Sequence, residues 1–275
     1  QQGRNFSNKI WNAFRLIKGW HVSDIIQPNS ARLAVNWFDS KINKTINEIN
    51  SSYSEYRLSE ALMSTYKLIW DDFCSWYLEI VKPEYGNPID KITYQQSIYQ
   101  LEKILKLLHP FMPFLSEEIW HLIKKQKKDL IISNWPKTKE IDNILLDEFE
   151  NATEVITSIR NIRKEAKIPN KEQLNLEVIN NEKSVNNLNS IIIKLGNLSS
   201  INDVSKKPAS AFSFMVKSNE FFIPIKDNID TESEIKKLES ELKYKQGFLK
   251  SVESKLNNEK FLNNAPKMVV FNEKK

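Results

Sequence analysis

The first half of the chain carries apolar residues at the three- and four-residue spacing of amphipathic helices. This spacing predicts five helices, over residues 4–20, 33–49, 59–81, 92–108 and 116–124. Each has one apolar stripe and one polar face, so the stripes are expected to pack against one another around a shared core. The pattern therefore predicts a helical bundle over residues 1–138.

A proline elbow is expected between the last two of these helices, within the stretch LEKILKLLHPFMPFLSEEIW at 101–120. Pro110 and Pro113 prevent a continuous helix, and Ser116 is a suitable N-cap for the helix that follows. The corner is expected to be packed by three apolar side chains, Phe111, Met112 and Phe114. Such a joint positions other elements and does not itself do chemistry.

The pattern changes after residue 138. A helix over 144–166 is followed by short strand-like runs, with a helix over 185–195 between the first two runs. The runs are 174–179, 199–204, 212–216 and 221–225. Short apolar runs bounded by turn residues are typical of strands. Residues 139–228 are therefore predicted to form a small α+β module.

The final segment has the most regular apolar spacing in the chain. Seven positions follow the 3–4 spacing of a coiled-coil seam: Ile235, Leu238, Leu242, Lys245, Leu249, Val252 and Leu256. The spacing breaks over 257–265, and Pro266 begins a second helix. Residues 229–275 are thus predicted to be a truncated antiparallel coiled-coil hairpin, whose unpaired seam could make the chain self-associate. The predicted fold class is mainly α.

The composition excludes several classes of function. The single cysteine excludes a disulfide scaffold and a cysteine-ligated zinc module, and the three histidines lack metal-ligand spacing. Five glycines leave no phosphate-binding glycine loop. We therefore expect no catalytic, cofactor or metal site. No apolar run approaches ~18 residues, so we expect no membrane partner and a cytoplasmic location. The start without methionine suggests a piece of a longer protein.

Charge is unevenly distributed around a net value of +5. Residues 1–20 contain four basic residues, Arg4, Lys9, Arg15 and Lys18, and no acid. Two further basic clusters are Lys124, Lys125, Lys127 and Lys128, and Arg160, Arg163, Lys164 and Lys167. Basic patches of this kind suit a nucleic-acid backbone, and asparagine and arginine contact base edges and phosphates. Ordinary solvated helix faces explain the same pattern.

One acidic group lies in the third predicted helix, at Asp71, Asp72 and Glu79. Paired carboxylates can act as a general acid and base. A solvated helix face with Lys67 and Lys82 nearby explains these residues more simply. Cys74 falls on the apolar stripe and is expected to be a small core residue.

Five sequence motifs together resemble the C-terminal portion of bacterial valyl-tRNA synthetases. They are GRNFSNKIWNAFR at 3–15, WDDFCSWYLE at 70–79, LLHPFMPFLSEEIW at 107–120, SIRNIRKE at 158–165 and FLNNAPKMVV at 261–270. The resemblance implies a part of an enzyme that joins valine to tRNA(Val) using ATP and hydrolyses mischarged threonine. The ATP-binding signatures of that family are absent from this sequence. The chain is therefore expected to be inactive alone, with no cofactor of its own, within a monomeric parent enzyme.

The resemblance also implies specific contacts with the tRNA. Matching positions suggests that Lys9, Leu16 and Leu78 contact the anticodon. Relatives often carry phenylalanine at the position of Leu16, so Trp20 or Phe14 could supply the missing aromatic ring. The polar face of the first helix adds three candidates from its own pattern, Arg4, Asn12 and Arg15.

The predicted arm is expected to lie along the outer corner of the tRNA. Its candidate phosphate contacts are five lysines, Lys236, Lys237, Lys243, Lys245 and Lys250. Arg160 and Arg163 could either contact tRNA or hold the bundle and the α+β module together. An alternative function is a non-catalytic module whose helices and coiled coil bind a protein partner.

Overall fold

The computed structural model describes residues 2–126, 128–179, 187–224 and 231–257. It is mostly helical with one small four-stranded sheet, which confirms the mainly-α prediction. Internal contacts divide the chain into two compact units, Gln1–Pro224 and Ile225–Lys275. The predicted boundary between bundle and α+β module, at 138/139, lies inside the first unit and stays a prediction.

All five predicted helices of the bundle are present. They are α1 (Gln2–Lys18), α2 (Asn29–Ser54), α3 (Leu58–Lys67) with its continuation, α5 (Lys91–Leu108) and α6 (Pro113–Ile123). Helix α2 extends beyond its predicted range of 33–49 at both ends. Two short parallel strands, β1 (Val22–Ser23) and β2 (Ile89–Asp90), join the loops before α2 and α5.

The third predicted helix changes its winding part-way. Helix α3 leads into a π-helix at Leu68–Tyr77, and α4 (Leu78–Val81) follows it. A π-helix bonds each carbonyl to the fifth residue onward rather than the fourth, which rotates later side chains relative to an α-helix. Phe73 and Tyr77 are buried, and the Tyr77 hydroxyl lies 2.9 Å from the Ser97 hydroxyl oxygen.

The proline elbow is present, but two details of its prediction are wrong. Helix α6 begins at Pro113, and Ser116 lies inside it. The Ser116 hydroxyl donates to the Met112 carbonyl at 2.9 Å, and its oxygen lies 2.8 Å from Nδ1 of His109. Phe114 is 91% exposed, because it lies on the solvent side of the first turn of α6. Phe111 and Met112 pack against the core as predicted, and the buried Ser116 hydroxyl takes the place expected for Phe114 in fastening the elbow.

The α+β module has the predicted order of elements. Helix α7 spans Asn143–Glu165, and the sheet contains β3 (Leu174–Ile179), β4 (Leu198–Asp203), β5 (Ala211–Val216) and β6 (Asn219–Pro224), with α8 (Asn189–Gly196) before β4. The strand order is β4-β3-β6-β5. Strands β3 and β4 run parallel, with α8 in their crossover, whereas β6 pairs antiparallel with both β3 and β5.

The second unit is described through one helix, α9 (Thr231–Leu256). Its extent agrees with the predicted seam helix. The predicted return helix from Pro266 lies outside the described residues. No described helix has both the length and the hydropathy needed to cross a membrane.

Candidate nucleic-acid interface

Helix α1 is amphipathic, with a buried apolar face and an exposed polar face. Five apolar residues lie in the bundle core: Phe6, Ile10, Ala13, Phe14 and Ile17. The candidates Arg4, Asn12 and Arg15 are exposed on the other side. Since residues 1–20 contain no acid, no side chain of α1 neutralises these cations. The helix thus presents a positively charged surface with amide groups between the charges.

Lys9 is held in one place at the edge of this face. Its Nζ donates a hydrogen bond to the Ser75 hydroxyl at 3.2 Å and lies 3.9 Å from the centroid of the Trp70 ring. The Ser75 hydroxyl in turn donates to the Trp70 carbonyl at 2.8 Å. Both residues belong to the π-helix, so α1 and the π-helix together fix the position of this ammonium group.

The other two residues matched to the anticodon contact are placed very differently. Leu16 is 40% exposed, two helical turns from Lys9 on the same face of α1. Leu78 is 2% exposed and belongs to the core. Leu78 is the first residue of α4 and its side chain faces inward, so the anticodon contact matched to this position stays a prediction.

The structure also decides between the two candidate aromatic rings near Leu16. Phe14 is buried and lies against Trp11, with ring centroids 5.7 Å apart. Trp20 is half-buried, just beyond the C-terminal end of α1. Only Trp20 of the two therefore has ring surface that a base could contact.

Arg163 and Arg160 lie one turn apart on α7 but have different environments. Arg163 is buried, and its guanidinium donates to four backbone carbonyls at 2.9–3.2 Å, those of Pro169, Glu172, Gly196 and Asn197. It therefore fastens the end of α7 to the sheet region and has no donor surface for RNA. Arg160 is exposed, with its guanidinium carbon 5.4 Å from the centroid of the Trp76 ring.

Lys194 makes a second connection that the sequence did not reveal. Its Nζ donates to the carbonyls of Ile80 and Lys82, at 2.5 and 2.8 Å. These carbonyls lie at the C-terminal end of α4, where a cation favourably opposes the helix dipole. Burial lowers the pKa of the Lys194 ammonium. The α+β module is thus attached directly to the helical segment that contains Ser75.

Two members of the acidic group at 71–79 form ion pairs. Asp72 lies 3.5 Å from the Lys41 ammonium, and Glu79 pairs with Lys82. Burial raises the pKa of the Asp72 carboxyl to about 6, against the opposing effect of Lys41. Burial likewise raises the pKa of the Cys74 thiol to about 12. This arrangement supports the structural interpretation of these residues.

Among the described residues, three possible metal ligands lie together on the surface, Glu117, His121 and Asp129. Nε2 of His121 is 3.1 Å from the Glu117 carboxylate and 3.2 Å from that of Asp129. The same Glu117 oxygen accepts the backbone N–H of Leu130 at 2.7 Å. Polar contacts among these side chains, together with the Leu130 N–H, account for this cluster.

The remaining basic residues are mostly exposed. Lys125, Lys128, Lys164 and Lys167 are exposed, whereas Lys124 pairs with Glu102 at 2.6 Å and Lys127 lies outside the described residues. On α9, Lys243, Lys245 and Lys250 are exposed. The side chains of Lys236 and Lys237 lie outside the described part. Leu242 and Leu249 of the predicted seam are 58% and 56% exposed.

Comparison with known families identifies this arrangement. Residues 35–180, more than half of the chain, match the family described as the anticodon-binding domain of tRNA ligase. The chain belongs to this family. Residues 230–275 match a second family, the valyl tRNA synthetase tRNA binding arm. The first match begins after α1, so it does not include Lys9 or Leu16.

Curated relatives extend the similarity to the whole chain and confirm the resemblance to valyl-tRNA synthetases. The valine–tRNA ligases of Christiangramia forsetii and Parabacteroides distasonis are 52% and 48% identical over 100% of this chain. That of Listeria innocua is 34% identical over 98% of it. The chain spans 32% of the length of each of these relatives.

Sequence reasoning missed Ser75 and Trp70 as neighbours of Lys9. The motif at 70–79 is visible in the sequence, but its pattern predicts α-helical spacing. That spacing brings a serine hydroxyl to the carbonyl four residues back, which here is Asp71. In the π-helix the hydroxyl reaches Trp70, five residues back. No residue type in the stretch 68–77 indicates a π-helix rather than an α-helix.

Proposed function

We propose that this chain is the part of a valine–tRNA ligase that holds tRNA(Val), with the helical bundle at the anticodon. The observation that carries the proposal is the surface of α1, where Lys9 is held in place on a helix without acids. Anticodon bases are unstacked and can be recognised by stacking, apolar contact and hydrogen bonds to their edges.

The exposed groups of α1 divide these tasks by their chemistry. The Lys9 ammonium has donors left for a base or a phosphate after its bond to Ser75. Leu16 offers apolar contact only, and Trp20 offers the ring on which a base can stack, an interaction worth about 1–3 kcal/mol. Asn12 suits a base edge, whereas Arg4 and Arg15 suit phosphates. Leu78 contributes as a core residue beneath this surface.

The second unit is proposed to be the coiled-coil arm at the outer corner of the tRNA. The exposed apolar residues Leu242 and Leu249 of α9 support a hairpin, because a return helix from Pro266 would cover them. The arm lysines, Lys236, Lys237, Lys243, Lys245 and Lys250, are proposed to contact phosphates without reading sequence. A seam left without its return helix would make the isolated chain self-associate.

Chemistry is proposed to reside elsewhere in the longer protein. That protein would join valine to tRNA(Val) using ATP and hydrolyse mischarged threonine, as a monomer in the cytoplasm. This chain would supply neither an ATP site nor a metal site. The alternative is a protein-interaction module, which explains the apolar stripes equally well but not the acid-free face of α1.

The test separates the two proposed contacts by using two RNAs. Binding of the 275-residue chain is measured to whole tRNA(Val) and to its anticodon stem–loop, by fluorescence anisotropy at two salt concentrations. Lys9→Ala should weaken binding to both RNAs. Lys243→Gln combined with Lys250→Gln should weaken binding to the whole tRNA only.

Salt dependence decides between RNA binding and the alternative. The logarithm of the affinity for the stem–loop should fall by about 0.7 per phosphate neutralised for each unit increase in the logarithm of the salt concentration. An affinity that changes neither with salt concentration nor with Lys9→Ala would contradict anticodon contact through α1. Failure to bind either RNA would favour the protein-interaction module.

A further inference from the structure

We propose that Ser75 is a positioning residue for Lys9, and that the winding of the π-helix brings its hydroxyl to the Lys9 ammonium. The proposal rests on the proposed function in one respect, which is that Lys9 contacts the anticodon. Ser75 itself need not touch RNA. Its hydroxyl connects the Lys9 ammonium to the backbone of the π-helix.

The contacts form a relay with a fixed direction. The Ser75 hydroxyl donates its hydrogen to the Trp70 carbonyl at 2.8 Å, so its oxygen lone pairs are left to accept. The Lys9 ammonium donates to that oxygen at 3.2 Å. An ammonium has no acceptor, so Ser75 can only accept from Lys9, and its own hydrogen remains for the Trp70 carbonyl.

The Trp70 ring restrains the same ammonium from a second direction. The Lys9 Nζ lies 3.9 Å from the ring centroid, within the range of a cation–π contact. Trp70 is itself held by stacking on Tyr66, with centroids 5.6 Å apart and planes 9° apart. Tyr66 stacks in turn on Phe6 of α1, with centroids 5.1 Å apart. The ring is therefore part of the joint between α1 and the π-helix.

A lysine ammonium on a free four-carbon chain samples many positions, and fixing it costs conformational entropy when a ligand binds. Ser75 and Trp70 fix Lys9 before any RNA arrives. An ammonium has three donors, and Ser75 uses one of them. The remaining donors are presented at the edge of the α1 surface, so preorganisation should increase both affinity and discrimination.

The winding of the helix is required for this arrangement. In an α-helix, a serine hydroxyl bonds the carbonyl three or four residues back. In the π-helix at Leu68–Tyr77, the Ser75 hydroxyl bonds the carbonyl five residues back. One turn thus offers both the ring of Trp70 and the hydroxyl held by its carbonyl, on the side that faces Lys9.

The test is a double-mutant cycle on affinity for tRNA(Val), with anticodon discrimination as a second readout. Discrimination is the ratio of affinities of the 275-residue chain for tRNA(Val) and for a transcript with altered second and third anticodon bases. Lys9→Met should reduce affinity for tRNA(Val) about tenfold, as expected for a lost hydrogen bond from a charged group. Ser75→Ala should reduce this affinity severalfold. Ser75→Thr, which keeps the hydroxyl, should leave it near the wild-type value. In the Lys9→Met background, Ser75→Ala should have no further effect.

Ser54→Ala is the matched control. The Ser54 hydroxyl donates to the Ser51 carbonyl at 2.8 Å in α2, on an exposed surface. Its removal deletes the same type of hydrogen bond and should leave discrimination unchanged. Thermal unfolding of each variant verifies that it is folded. Trp70→Leu would also disrupt the stack with Tyr66. The test therefore substitutes Ser75 and leaves Trp70 unchanged.

The outcomes separate the two proposals. If Lys9→Met leaves tRNA binding unchanged, the proposed anticodon contact is wrong, and with it the role of Ser75. If Lys9→Met weakens binding but Ser75→Ala does not, the contact stands and the positioning role is wrong. Additive effects of the two changes would also overturn the positioning role, because Ser75 would then act independently of Lys9.

Discussion

The ring of Phe149 lies nearly parallel to that of Trp37, with centroids 3.7 Å apart and planes 14° apart. Phe149 belongs to α7 and Trp37 to α2, and both side chains are buried. Trp76 of the π-helix meets Phe149 edge-on at 6.2 Å. These three rings join the first helix of the α+β module to the centre of the bundle. This apolar joint attaches α7 to α2 and to the π-helix.

Phe149→Ala should reduce the free energy of unfolding by about 3–5 kcal/mol, because it leaves a cavity against Trp37. Ile144→Ala, an exposed position on the same helix, is the control and should change it by less than about 0.5 kcal/mol. Urea unfolding followed by circular dichroism measures both. Equal effects of the two changes would contradict the importance of the joint.

Arg163→Met should destabilise the chain by about 2–4 kcal/mol, since it removes a charged donor from four backbone carbonyls. Arg160→Met, one turn earlier, removes an exposed cation–π contact and should cost at most about 1 kcal/mol. Thermal unfolding compares the pair. A smaller loss for Arg163→Met than for Arg160→Met would show that Arg163 does not hold the end of α7 to the sheet region.

Asp72 should make stability depend on pH. Burial raises the pKa of its carboxyl to about 6, whereas the pKa of an aspartate in an unfolded chain is about 3.9. Between these values the folded state holds a proton that the unfolded state has released. The contribution of Asp72 to the free energy of unfolding therefore falls as pH rises through this window, and is constant above it.

Asp72→Asn should remove this pH-dependent fall in the free energy of unfolding. The stability of the variant relative to the wild type should increase from about pH 4 to about pH 6, by up to about 3 kcal/mol, and then level off. Asp147→Asn, at an exposed position of α7, is the control. Urea unfolding at several pH values measures the difference. A difference that does not vary with pH would contradict the effect of burial on Asp72.

Much of the architecture could be predicted because amphipathic periodicity is a local property of the sequence. The stripe of α1, the helix α9 and the strand at 174–179 all appear where the spacing places them. Ser116 and Phe114 show the limit of this reasoning. A serine before acidic residues is typical of an N-cap, but Pro113 already begins α6, so Ser116 becomes a buried residue beside His109.

The site was less predictable because its decisive contacts join distant parts of the chain. Nothing near Lys9 in sequence indicates Ser75, and nothing near Ile80 indicates Lys194. All four carbonyl partners of Arg163 lie within the α+β module, so its burial depends on where the linkers before β3 and β4 pass. Leu78 was assigned by matching a motif, which carries residue type but not the direction of a side chain.

The most direct measurement compares binding of the 275-residue chain to tRNA(Val) and to the same transcript with its second and third anticodon bases changed, at two salt concentrations. The account predicts tighter binding to the unaltered anticodon, and weaker binding to both RNAs at higher salt. Equal binding to the two transcripts, or no binding to either, would contradict the assignment of the bundle as the anticodon reader.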